Sequence, residues 1–144
     1  MFKKLDDTIS ASEQITVDDV KKAAEQGFGM IVNNRPEGES PDQTPGDAIE
    51  AAAKEAGLAY VAIPVGRTGF SAPQVAMMQK AMADAGGKPV LAYCRTGTRS
   101  TLLWSLAEAQ GGRSPDEISA AAAAAGYDVS VIRPQLDMLA AQAG

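Results

Sequence analysis

Three apolar runs punctuate the chain: residues 28–33 (F-G-M-I-V-N), 58–63 (L-A-Y-V-A-I) and 89–93 (P-V-L-A-Y). Each is five or six residues long and reads as a strand, and the first, bounded by polar residues, as a buried one. The segments around them read as helices. Thr16 is a good cap for a helix over 17–26, and Gly27 ends it. Residues 45–56 read as a helix with Gly57 as its stop. Ser71 caps a helix that reaches Ala85, with Pro73 tolerated in its first turn, and Gly86-Gly87 breaks it. Further helices are expected over 101–110, 115–125 and 134–142. Ser114-Pro115-Asp116-Glu117 reads as a capping box at the start of the second of these, and the alanine run 120–125 as its filler. A short first strand is expected within 8–14. Residues 34–44 and 64–69 are loops.

Strands of this length separated by helices of about ten residues or more predict an α/β sandwich with a largely parallel central sheet. No repeat or long linker interrupts the alternation, so one domain over 1–144 is expected. In such sheets ligands bind beyond the C-terminal ends of the strands. The segment leaving the third apolar run at that end is C-R-T-G-T-R-S, Cys94 to Ser100.

Composition narrows the chemistry. The formal net charge is −5, so no nucleic acid or anionic membrane is an expected partner. A small anionic substrate would need a local positive site. No stretch approaches ~18 consecutive apolar residues, and the lysines Lys3 and Lys4 are followed by acidic residues rather than an apolar core. A cytoplasmic location is expected. The chain has one cysteine and no histidine. That excludes an intramolecular disulfide, a cysteine metal cluster, a Ser-His-Asp triad and a Cys-His pair. No cofactor and no metal is expected. A nucleophile here must be activated without imidazole.

A lone cysteine is ordinarily a small buried hydrophobe. The surroundings of Cys94 argue for more. A strand ends and a helix begins within a few residues, and the first N–H groups of a helix have no intrahelical partners. They line a concavity to which the helix dipole adds partial positive charge. Gly97 allows a backbone conformation that a β-carbon opposes, and Arg99 offers a planar bidentate donor. Cys94 is therefore expected to be a thiolate nucleophile, since helix N-termini and neighbouring arginines favour the ionised form. Arg99 is assigned as its catalytic partner. Arg95, Thr96, Gly97, Thr98 and Ser100 are assigned to the substrate-binding loop, with Arg95 equally well placed toward solvent.

The loop resembles two superfamilies of cysteine enzymes, the protein tyrosine phosphatases and the rhodaneses. The phosphatase signature has five residues between cysteine and arginine. Here four, Arg95 to Thr98, lie between Cys94 and Arg99, the rhodanese count. Ser100 matches the hydroxyl that often trails the phosphatase arginine. Elsewhere the rhodanese signature is missing. Instead D-D-T-I-S-A-S-E-Q-I (6–15), N-N-R-P-E-G-E (33–39) and Y-C-R-T-G-T-R-S-T-L-L-W (93–104) resemble a bacterial phosphatase-like family. That family is found alone or fused to metallo-β-lactamase-type hydrolases and is often labelled a sulfur transferase. The resemblance is clearest over 5–110. It implies a three-layer, dual-specificity phosphatase-like fold, and it brings Asn34 and Arg35 to the rim of the site, with Arg35 as a substrate-binding residue.

Phosphoester hydrolysis needs an acid for the leaving oxygen, which the phosphatase fold usually keeps as an aspartate on the loop before its long helix. The equivalent loop here, 64–70, holds no carboxylate. Its Arg67 reads as an exposed cation or a substrate contact. Asp84 reads as surface. Glu37 and Glu39 read as solvated, with one of them available as a displaced acid. Loss of general-acid help costs ~10²–10⁴-fold, whereas sulfur transfer from a sulfane donor needs no strong acid. The expectation is a sulfurtransferase with a Cys94 persulfide and a thiol or cyanide-type acceptor. A phosphatase acting weakly or on aryl phosphates is the alternative, and an anion-binding module the third. Trp104, the Leu102-Leu103 pair and Met77, Met78 and Met82 read as packing.

Overall fold

The three apolar runs become three adjacent strands of one five-stranded sheet, with the run 58–63 at its edge and only partly covered. The computed structural model describes residues 2–143. In chain order its elements are β1 (Lys3–Asp6), β2 (Ile9–Ser12), α1 (Val17–Glu25), β3 (Met30–Asn33), α2 (Gly46–Glu55), β4 (Ala59–Ala62), α3 (Ala72–Asp84), β5 (Val90–Tyr93), α4 (Thr98–Gln110), α5 (Pro115–Ala124), a 3-10 turn (Ser130–Ile132) and α6 (Arg133–Ala143). The strand order is β1-β2-β5-β3-β4. All pairings are parallel except β1 with β2. This is the expected α/β class, with a sheet that is mostly parallel. No helix among the described residues is long and apolar enough to cross a membrane.

Alternation along β5 sorts the two layers of core. Val90 and Ala92 join the cluster under α3, α4 and the C-terminal helices. Leu91 and Tyr93 join the smaller cluster with Ile15, Val20 and Ile49 of the α1–α2 side. A parallel strand covered on both faces must be apolar at every position, which is why the run carries no alternation of its own. Helix α4 is covered almost all round, with nine of its residues buried. It lies against α3, α5 and α6 and contacts β2 and β5. The element that carries the loop is thus gripped by most of the molecule.

Three expectations shift. The first strand is a hairpin: β1 pairs antiparallel with β2. β1 was illegible because Lys3 and Lys4 are exposed at the sheet edge, and only Leu5 is buried there. Helix α4 begins at Thr98 rather than Thr101, with Gly97 as its cap. Ser114 precedes α5 without a side-chain cap bond. Glu117 instead lies 3.9 Å from Arg113. At Thr16 and Ser71 capping boxes do form, with Asp19 and Gln74.

Candidate active site

β5 is the central strand, and its last residue, Tyr93, hands the chain directly to Cys94. Neighbouring strand ends fix this exit. The Cys94 N–H donates to the Ser12 carbonyl at 3.3 Å, Asn34 N–H to the Tyr93 carbonyl at 2.8 Å, and Gln14 N–H to the Arg95 carbonyl at 3.2 Å. The loop then turns through Gly97, whose φ is +92°, a left-handed value that L side chains resist. A β-carbon there would also run into the Tyr127 hydroxyl. Only glycine fits, and the turn delivers its N–H to the Cys94 sulfur at 3.1 Å. Thr101 N–H and hydroxyl both bond the Gly97 carbonyl, which locks the loop to the first turn of α4. By helix geometry the amides at 98–100 are the ones without intrahelical acceptors, and the start of α4 carries the positive end of its dipole. Cys94 itself is buried.

Arg99 sits in that first turn and is held from two other loops. Its Nη1 and Nη2 meet the two oxygens of Glu39 at 2.7 and 2.8 Å, and Nη1 also donates to the Val65 carbonyl at 2.8 Å. This is a bidentate, charge-assisted pair. Glu39 also accepts from Arg35 Nε at 2.9 Å. Arg35 is nearly fully buried, and its remaining nitrogens reach Gln14 Oε1 and Ser40 Oγ. Hydrogen bonds from Arg99, then from Arg35, hold the Glu39 carboxyl down at about 2 against the opposing effect of burial. Glu39, and after it the nearby Cys94, in turn keep the Arg99 guanidinium charged. Behind the loop Ser100 Oγ donates to Asn34 Oδ1 at 2.7 Å, and Asn34 Nδ2 donates to the Ile63 carbonyl at 2.9 Å. Three strand ends are thereby tied to one helix start.

The structure therefore gathers Cys94, Gly97, Arg99, Ser100, Asn34 and Arg35 into one constellation. Arg35 reaches it through Glu39. Arg95, Thr96 and Thr98 are exposed on the loop, with Thr96 and Thr98 hydroxyls 3.1 Å apart. Arg67 is exposed on the 64–70 loop. Asp84 pairs with Lys80 on the surface of α3; Trp104 and Met78 are core, whereas Met77, expected to pack, is exposed. Glu37 and Glu39 are both exposed, as expected, but each carboxylate is engaged. Glu37 accepts the Gly46 N–H at the start of α2. Glu39 is the arginine clamp, and a carboxyl held at about 2 carries no proton to give at neutral pH. The signal for Glu39 was its spacing of four from Arg35. Tyr127, whose hydroxyl donates to the Thr96 carbonyl at 3.2 Å, had no signal in the sequence.

A buried cysteine at the mouth of a central parallel strand, a helix start beside it and a clamped arginine are the features of a cysteine-based, phosphatase-like domain. The chain belongs to the family of phosphatase-like domains of beta-lactamase hydrolase-like proteins, whose model matches residues 1–111. A beta-lactamase hydrolase-like protein of Xylella fastidiosa is 37% identical over 126 residues, covering 87% of this chain and 29% of that protein. The chain thus spans under a third of the length of that curated relative. A crystal structure of a candidate phosphatase from Neisseria meningitidis superposes with a TM-score of 0.83 at 34% identity, covering 96% of this chain and 97% of that one. Tk-PTP in its active form shares the fold at a TM-score of 0.71 and 18% identity, over 98% and 97% of the two chains.

Proposed function

We propose that the chain is a thiolate group-transfer enzyme whose principal cargo is sulfane sulfur. The observation that carries this reading is the state of the clamp. The carboxylate bound to Arg99 is ionised and engaged by two arginines, and the 64–70 loop supplies no other. A reaction whose leaving group needs no proton suits such a site. The Cys94 thiolate attacks the outer sulfur of a donor such as thiosulfate. The new S–S bond forms as the donor's S–S bond breaks, and sulfite leaves with the electron pair. The Cys94 persulfide anion then faces the Gly97 N–H and Arg99, which stabilise negative charge. An acceptor thiolate attacks the terminal sulfur, departs as a persulfide and restores the Cys94 thiolate. The gap of four residues between Cys94 and Arg99 makes a smaller ring than the phosphatase signature does, in keeping with a smaller cargo.

A second reading has its own support. The family and the solved relatives carry phosphatase names, which favours a cysteinyl-phosphate intermediate. In this site that chemistry would be fastest on aryl phosphates, whose leaving groups need little acid help. One pair of measurements decides. Incubation with thiosulfate or polysulfide followed by intact mass spectrometry should add one sulfur to wild type and none to Cys94→Ser. Efficient aryl phosphate hydrolysis without any sulfur adduct would replace the sulfur reading by the phosphatase one. Arg99-dependent anion binding with neither activity would leave a binding module.

A further inference from the structure

The peptide unit between Thr96 and Gly97 is bonded at both ends. Its N–H points at the Cys94 sulfur at 3.1 Å. Its carbonyl accepts the Tyr127 hydroxyl at 3.2 Å. The atoms form one chain, Tyr127 O–H to Thr96 C=O, through the amide to Gly97 N–H, and on to Cys94 Sγ. We propose that Tyr127 is a positioning residue for the Cys94 chemistry: it fixes the plane of this one peptide and polarises it toward the sulfur. The inference rests on Cys94 being the reacting thiolate and holds for either cargo.

Tyr127 is delivered with little freedom. Gly126, at φ +97°, terminates α5. Gly126 N–H bonds the Ala123 carbonyl, and Tyr127 N–H bonds the Ala122 carbonyl at 2.9 Å, the paired bonds of a Schellman stop. The stop turns the ring onto Gly97, where the hydroxyl takes the place a β-carbon would need. The tight fit prevents the peptide from rotating its N–H away from the sulfur. Hydrogen bonds in series polarise one another, so the O–H on the carbonyl strengthens the N–H as a donor to a thiolate or a persulfide. The hydroxyl stays a donor because burial, with the negative charge of Cys94 and Glu13, pushes its ionisation up. Other charged groups near Tyr127 are Lys3, which lines a cleft of about 180 Å³ with Glu13, Thr96 and Tyr127, and Asp128 and Arg133, which line a second hollow with it; Arg99 lies close enough to the sulfur to feel its charge. Residue 127 lies outside the 1–111 segment that the family model matches, so the support comes from the C-terminal helices.

Tyr127→Phe keeps the ring and removes the hydroxyl. The rate of Cys94 alkylation by iodoacetamide is measured across pH for wild type and variant, with the melting temperature of each. The expected result is a profile displaced to higher pH, about three- to tenfold less thiolate at a fixed pH on the rising limb, and an almost unchanged melting temperature. The Gly97 amide proton resonance should also move upfield. An unchanged profile and amide shift overturn the proposal, whether or not the melting temperature falls. Tyr127→Leu, which also empties the space beside Gly97, should displace the profile at least as far; a smaller displacement overturns the polarising role. A wild-type profile like that of an ordinary thiol would overturn the thiolate reading instead, and the comparison between Tyr127→Phe and wild type would remain readable.

Discussion

The loop after β5 and the loop after β3 meet at Arg99 but are built by opposite means. The first is backbone machinery. Gly97 turns it, the helix start supplies its donors, and its bond to the sulfur spans three residues. The second is held by side chains: Arg35 to Gln14, Glu39 and Ser40, and Glu39 to Arg99 across sixty positions of sequence. Donors for a reacting anion come from local geometry that costs little to keep in place. The orientation of the one flexible cation comes from a distant carboxylate. Such a division predicts that damage to the first loop affects the chemistry itself, whereas damage to the second affects how often Arg99 is correctly aimed.

Arg99→Lys is the severest test of the contrast. It keeps the charge and loses the planar fork that serves Glu39 and Val65 together. Turnover in the sulfur-transfer assay, or on an aryl phosphate, should fall about 10²-fold with little change in melting temperature. A loss no greater than that of the clamp variant would show that Arg99 acts only as a charge. Glu39→Gln is the clamp variant. It leaves Arg99 charged but weakly held, and turnover should fall about tenfold, mostly through substrate binding. If Glu39 were a hidden general acid, the loss would be larger for poor leaving groups than for good ones. Phosphate monoesters of graded leaving group therefore separate the clamp from the acid.

Ser100→Ala tests the joint between the two loops. The Ser100 hydroxyl is buried and donates to the Asn34 side chain, which in turn holds the Ile63 carbonyl. Removing it strands a buried acceptor, at about 1–3 kcal/mol. Denaturant unfolding should read that loss, while thiol alkylation at fixed pH changes less than in Tyr127→Phe. A variant as stable as wild type would mean that the loops are docked by packing alone.

The difference between the loops also explains what the sequence disclosed. Residues 94–99 were legible because their signals are short range: an apolar run, a glycine and an arginine within six positions. The three apolar strands and most helix stops were legible for the same reason. The clamp role of Glu39 was missed because an exposed carboxylate in a polar loop shows no partner in the sequence, and Arg99 lies in a different element. β1 was hidden by the lysines of an edge strand. Tyr127 carries no local mark at all. Its role arises only when the α5 stop and the 94–99 loop are brought together by the packing of α4.

The acid side of the pH range isolates the clamp from everything else. In the unfolded chain the Glu39 carboxyl titrates near 4.5; in the fold its arginine partners hold it down at about 2. A carboxyl depressed by folding stabilises the native state above its unfolded value. As pH falls from about 4.5 toward 2, the unfolded chain takes up a proton that the native chain still refuses, so the contribution is lost across that interval. The pair is partly open to water, with 28% of the Glu39 side chain exposed, and the effect should be about 1 kcal/mol or less. Wild type and Glu39→Gln are compared by denaturant unfolding at about pH 6 and about pH 3. Other carboxylates titrate in both proteins and cancel in the difference. The advantage of wild type over the variant should shrink on going to the lower pH. An advantage that stays constant would mean that Glu39 is held no more tightly in the fold than in the open chain, and that the side-chain loop aims Arg99 by shape rather than by charge.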